Sequence, residues 1–165
     1  MGISFNADEI FEMGMDVEKN GEAYYRKCAE LSGDPGIRKV FAWLAGEEKS
    51  HWETFRRLRE ELPGGGGNII DAEGLNGLYL DAIVKSRLFS NIKEAEAAAA
   101  GAKDGIEALK AALAFEKDTI LFFAEMKAMT RADFGAEKID MLINEERKHV
   151  VGISEEIKKA LKKSA

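Results

Sequence analysis

Cysteine, proline and histidine are scarce in this chain: one cysteine (Cys28), two prolines (Pro35 and Pro63) and two histidines (His51 and His149). One cysteine excludes an intrachain disulfide and a four-cysteine metal site. Lying in a helical stretch, Cys28 reads as a small buried apolar residue rather than a redox thiol. No apolar run approaches the ~20 residues that span a membrane. Met1 to Asn6 has no basic region followed by an apolar stretch, and Asn6 breaks the myristoylation pattern. Neither a signal peptide nor N-myristoylation is therefore expected, and a cytoplasmic location is. Positive charge is not in excess. The net charge of −6 argues against a general nucleic-acid or anionic-membrane surface. No stretch alternates with the two-residue period of a strand.

What the chain does contain is helix. Its 165 residues suggest one domain, 1–165, and 45 % hydrophobic against 33 % charged residues suits a globular core. Apolar positions at helical spacing predict four long amphipathic helices, at about 6–31, 35–62, 104–129 and 136–162. Asn6 or Asp8 caps the first, Asp34 with Pro35 starts the second, and Asp104 caps the third. Gly33 is expected to close the first helix, and Pro63 with Gly64 to Gly67 the second. The glycine run reads as a turn, since no Lys-Ser or Lys-Thr follows to make a phosphate cradle. The connection 63–103 has room for one or two short helices, at about 74–89 and 94–100. The fold class expected is all-α: an antiparallel four-helix bundle with a long crossover.

Four glutamates interrupt the apolar stripes. Glu48-Lys49-Ser50-His51 and Glu146-Arg147-Lys148-His149 are matching Glu-x-x-His motifs that use every histidine in the chain. At about 100° and ~1.5 Å per residue, three residues put Glu and His on one face, a turn apart, within reach of one ion. Thirty residues before each motif glutamate stands another, Glu18 and Glu116. The second set repeats the first at an offset of 98 residues, and Lys19, Leu44 and Glu47 recur as Lys117, Leu142 and Glu145. A repeat that kept only a core would match mainly at apolar positions; this one matches at candidate ligands.

Four carboxylates and two imidazoles suit two iron or manganese ions, with zinc a substitute. Four negative charges balance two divalent cations. Glu48 and Glu146 are the expected bridges, Glu18 and Glu116 terminal ligands, and each histidine binds one ion. Tyr25, two turns past Glu18, could hydrogen-bond a ligand carboxylate, donate an electron, or simply fill the core. Gly14 and Gly21 lie near the face of Glu18, where they make room for a substrate or another helix. Glu22 reads as a surface or outer-layer residue. Glu47 and Glu145, 100° away from the bridging glutamates, read as outward-facing.

The stretches Glu18-Lys19-Asn20-Gly21-Glu22-Ala23-Tyr24-Tyr25, Leu44-Ala45-Gly46-Glu47-Glu48-Lys49-Ser50-His51 and Leu88-Phe89-Ser90 resemble the rubrerythrin group of the ferritin-like diiron carboxylate proteins. The resemblance implies a ferritin-like bundle with two iron ions on Glu18, Glu48, His51, Glu116, Glu146 and His149. It implies reduction of hydrogen peroxide, or reaction of Fe(II) with peroxide or dioxygen, and a homodimer in which the 74–89 helix is a candidate contact. Two departures stand out. A chain with one cysteine cannot form the rubredoxin domain of full-length rubrerythrin, so electrons would come from a separate donor such as a rubredoxin. The extra glutamate one turn after the third helix's ligand is replaced by Thr119. An iron-handling ferroxidase, or a bundle with a structural metal and a partner-binding surface, therefore stand as alternatives to an oxidoreductase.

Overall fold

Each long helix starts where a side chain satisfies the amide groups that a first turn leaves open. The computed structural model describes residues 5–62, 75–130, 133 and 135–164. Pro63, Gly64 to Gly67 and Gly74 lie outside the described residues. Helix α1 (Ala7–Leu31) is capped by Asn6, not Asp8: Asn6 Oδ1 accepts from Glu9 N at 2.9 Å, and Glu9 Oε2 accepts from Asn6 N at 2.8 Å. Helix α2 (Pro35–Glu60) starts where Asp34 Oδ1 accepts from Gly36 N and Ile37 N. Helices α3 (Leu75–Arg87) and α4 (Ile92–Gly101) follow, then α5 (Gly105–Met129), capped by Asp104, and α6 (Ala136–Ser164). Among the described residues, no helix is long and apolar enough to cross a membrane.

Some expectations change. The first helix ends through an extended Ser32, whose N–H donates to Cys28 O at 3.0 Å. Gly33 takes no left-handed turn; the described glycine with positive φ is Gly135. The third helix stops at Arg87, short of Phe89, because the Phe89 carbonyl accepts from Asn20 Nδ2 at 2.8 Å instead. The fourth begins two residues early because Asn91 caps it. Leu31, Leu75, Leu78 and Tyr79 are exposed. Leu31 sits at the last position of α1, and α3 buries Leu80 and Ile83 in the core.

Contacts fix the helix directions. Arg59, near the end of α2, pairs with Asp8 at the start of α1. Tyr24, near the end of α1, donates to Ala108 O at the start of α5. In α2 and α6, His51 meets Glu145 and His149 approaches Glu47. Every adjacent pair of long helices is thus antiparallel. The end of α2 and the start of α5 lie at opposite ends of the bundle, so the crossover must travel the length of α2, about 39 Å. Helix α4 packs on α1 and α3 on α5 along the way. The result is an all-α four-helix bundle with two short helices in its crossover.

The core is rich in aromatics: Phe11, Tyr24, Tyr25, Phe41, Phe55, Phe122 and Phe123 are fully buried. Gly14 makes room for a neighbouring helix, since a Cβ there would lie 2.9 Å from Met126 Cε and 3.1 Å from Phe55. At the turn before α6, Gly135 has φ +106° and lies against Leu58, where a Cβ would approach Cδ2 to 2.7 Å. Gly135→Ala combines both penalties and is expected to cost more than about 1 kcal/mol, read as a lower urea midpoint with an unchanged slope.

Candidate metal centre

The four long helices bring Glu18 (α1), Glu48 and His51 (α2), Glu116 (α5), and Glu146 and His149 (α6) together inside the bundle. All four glutamates are fully buried, and each histidine is 1 % exposed. Isolated buried carboxylates are costly without a partner, so their convergence needs a physical cause. The ligand atoms form two overlapping quartets. Glu18, Glu48, His51 and Glu146 make one, and Glu48, Glu116, Glu146 and His149 the other, with the atoms of each within 4.8 Å of one another. Glu48 and Glu146 belong to both.

The rings of His51 and His149 lie nearly parallel, 15° apart with centroids separated by 5.5 Å. Each turns Nδ1 inward. His51 Nδ1 is 2.7 Å from Glu146 Oε1 and 3.5 Å from Glu18 Oε2. His149 Nδ1 is 2.8 Å from Glu146 Oε2 and 3.6 Å from Glu116 Oε2. Both oxygens of Glu18 and of Glu48, with Glu116 Oε2, have no hydrogen-bond partner among the described residues. Five buried, unpartnered carboxylate oxygens beside two imidazole nitrogens form a donor set that could hold metal ions.

The charges bear this out. Burial, then the charges of Glu18 and Glu146, push the Glu48 carboxyl well above its usual range. Burial does the same for Glu116, reinforced by Glu146, and for Glu18, where His51 opposes it. Burial alone would raise Glu146, but the bonds from His149 and His51 outweigh it and hold that carboxyl below its usual range. Burial alone would likewise lower both histidines. Glu18 and Glu146 instead push His51 up to about 11, and Glu116 and Glu146 push His149 up to about 10. Without a cation, protons do the neutralising.

Around this cluster the two halves differ. Tyr25, fully buried, donates its hydroxyl to Glu116 Oε1, a carboxylate of the other half rather than the nearer-in-sequence Glu18. Burial and the Glu116 charge hold the Tyr25 phenol far above its ordinary range, so it stays a donor. A Cβ on Gly21 would lie 2.6 Å from Glu48 Oε2, so only glycine leaves that carboxylate its place. The repeat-related position is Thr119, fully buried with an unpartnered Oγ1. Glu22 faces outward and pairs with Arg26. Cys28 is buried, and burial pushes its thiol up to about 11, which makes it a poor nucleophile.

Glu47 and Glu145 need a correction. Both are half-exposed, but they do not simply face solvent: Glu145 Oε2 lies 3.0 Å from His51 Nε2, and Glu47 Oε2 lies 3.9 Å from His149 Nε2. The antiparallel crossing of α2 and α6 brings each glutamate to the other half's histidine. The 100° offset pointed them outward; the signal that could have found them was their own place in the repeat. Trp43, not singled out by the sequence, is half-exposed and stands edge-on to His149, with centroids 5.2 Å apart.

Antiparallel helices around a buried four-glutamate, two-histidine cluster define a ferritin-like helical bundle with a candidate metal centre. A candidate ferritin-like diiron-carboxylate protein from Thermotoga maritima has the same fold: TM-score 0.73, 18 % identity, with 97 % of this chain and 99 % of that chain covered. Within that class, residues 4–59 match the Rubrerythrin family model, which takes in α1 and all but the last residue of α2. The chain matches none of the curated proteins with which it was compared.

The proton inventory sets a pH dependence. In an unfolded chain, glutamates titrate at about 4.3 and histidines at about 6.5. In the metal-free fold Glu18, Glu48, Glu116 and both histidines keep their protons to higher pH. Between about pH 5 and about pH 8 the folded state therefore binds more protons, and stability falls as pH rises. Glu146 has the opposite sign but is ionised in both states across that window. Thermal unfolding of chelator-stripped protein is expected to show a melting temperature that declines from about pH 5 to about pH 8; a flat or rising profile would contradict a buried, proton-holding cluster.

Proposed function

We propose that the protein is a non-haem diiron carboxylate oxidoreductase of the rubrerythrin type, reacting with hydrogen peroxide or dioxygen. The observation that supports this most is the pair of buried quartets sharing Glu48 and Glu146. In this reading Glu18, Glu48, His51, Glu116, Glu146 and His149 would hold the two ions, Glu48 and Glu146 being common to both quartets. Two bound Fe(II) ions would supply two electrons to the oxidant as both become Fe(III). Manganese or zinc would be substitutes in the same ligand set.

The remaining work falls to the protein. Tyr25 occupies Glu116 Oε1 and so leaves Oε2 free for an ion. Glu145 receives the Nε2 proton of His51, which fixes the ring with Nδ1 inward. Phe41 and Phe115, packed against Tyr25, exclude water on that side. Because the chain has one cysteine, the reductant would be a separate protein such as a rubredoxin, and the setting cytoplasmic. Exposed Leu75, Leu78 and Tyr79 on α3 support a homodimer through that helix.

A second reading, an iron-handling ferroxidase, is favoured by one observation. Thr119 places an unpartnered hydroxyl, not a further carboxylate, beside the cluster. Anaerobic loading with two Fe(II) per chain, then mixing with peroxide or with dioxygen, separates the two. Ferric absorbance is expected to rise faster with peroxide for the oxidoreductase, and faster with dioxygen, followed by iron release, for the ferroxidase. Loaded iron inert to both oxidants would defeat both readings. Glu145→Gln is expected to weaken metal affinity by about 10- to 100-fold in a competition titration, with no change in helix content.

A further inference from the structure

The outer edges of the two histidine rings face ligands that the inner quartets do not use. His149 is 1 % exposed, and its Nε2 lies 3.9 Å from Glu47 Oε2. His51 turns its Nε2 to the same outward side, where Glu145 lies at 3.0 Å. One nitrogen of each ring and a Glu47 oxygen lie within 4.8 Å of one another. The rings are nearly parallel, so small side-chain rotations would close that triangle to the ~2 Å bonds of a transition-metal site. Two imidazoles and one carboxylate are a donor set for a divalent first-row ion. Glu47 is half-exposed, whereas every inner glutamate is sealed from solvent.

We propose that Glu47, His51 and His149 form an outer site for one divalent transition-metal ion, through which ions reach the inner cluster. The role as an entry station rests on the two-ion reading above; the outer site itself does not. The two locations compete for the same rings. An ion held outside takes the Nε2 lone pair, and each ring keeps its proton on Nδ1, facing Glu146 at 2.7 and 2.8 Å. An ion held inside takes Nδ1, and the proton returns to Nε2, facing Glu145 or Glu47. Transfer inward therefore moves one ion and shifts one proton, on the ring that binds the ion inside, while the other ring keeps its proton on Nδ1; no oxidation state changes. The half-exposed glutamates first receive the ion or the proton, and the buried ones finally bind the metal.

The test uses Co²⁺ alone, in the full-length chain. With Glu48→Gln and Glu146→Gln removing the residues shared by both quartets, one Co²⁺ per chain is expected, with a tetrahedral visible band. Adding Glu47→Gln should weaken that binding at least tenfold. Absence of Co²⁺ binding by the folded double variant, or binding indifferent to Glu47→Gln, would overturn the outer site. Should the double variant not fold, stopped-flow uptake into the otherwise unaltered protein decides. Glu47→Gln is expected to slow uptake about tenfold and Glu47→Asp to restore it; an uptake rate unchanged by Glu47→Gln overturns the proposal. The Co²⁺ stoichiometry of the unaltered chain reads the inner cluster separately, so failure of the two-ion reading would be seen on its own.

Discussion

Mutual repulsion among four glutamates sealed in one apolar interior is the constraint on which the rest of this structure depends. No carboxylate of Glu18, Glu48, Glu116 or Glu146 reaches solvent, and five of their oxygens have no hydrogen-bond partner among the described residues. Like charges at such separations cannot all stay ionised without compensation. Metal-free, the compensation is protons: three glutamates are pushed up, and two histidines are drawn into the protonated state by the remaining charge. Cations would do the same task with better-matched charge. The bundle is therefore built around a deficit of positive charge, and its aromatic packing keeps water from making up that deficit.

The rest of the architecture serves to hold this arrangement. Two helical hairpins each deliver a glutamate from one helix and a Glu-x-x-His from the next. The crossover carries the chain along the bundle so that the second hairpin can face the first. Gly21 leaves Glu48 its space, Tyr25 takes one oxygen of Glu116, and Glu145 orients His51. These supports are unequal between the halves. His51 has a close outer carboxylate, whereas His149 has a distant one and the edge of Trp43. A repeated sequence has thus produced two ligand sets of similar composition in different surroundings.

Much of this was legible in the chain, for reasons that can be traced. Helix starts were readable because caps act within three or four residues, as at Asp34 and Asp104. The six central residues were readable because carboxylates on an apolar stripe are conspicuous and the spacing recurs. The less legible features depend on contacts distant in sequence. Phe89 leaves its helix because Asn20 takes its carbonyl, 69 residues away. Tyr25 bonds Glu116, 91 residues on, rather than Glu18 on its own helix. Glu145 was read outward from its own helix alone, and only the crossing with α2 turns its carboxylate back to His51.

The sequence by itself determined four long amphipathic helices, their caps, and which six side chains lie on their inward faces, since these follow from local propensity and periodicity. Tertiary structure alone decided which glutamates belong to both quartets, which nitrogen of each histidine turns inward, and which half Tyr25 serves. Those choices are set by how antiparallel helices cross. A crossing is a relation between segments far apart in the chain, and no spacing along one helix encodes it.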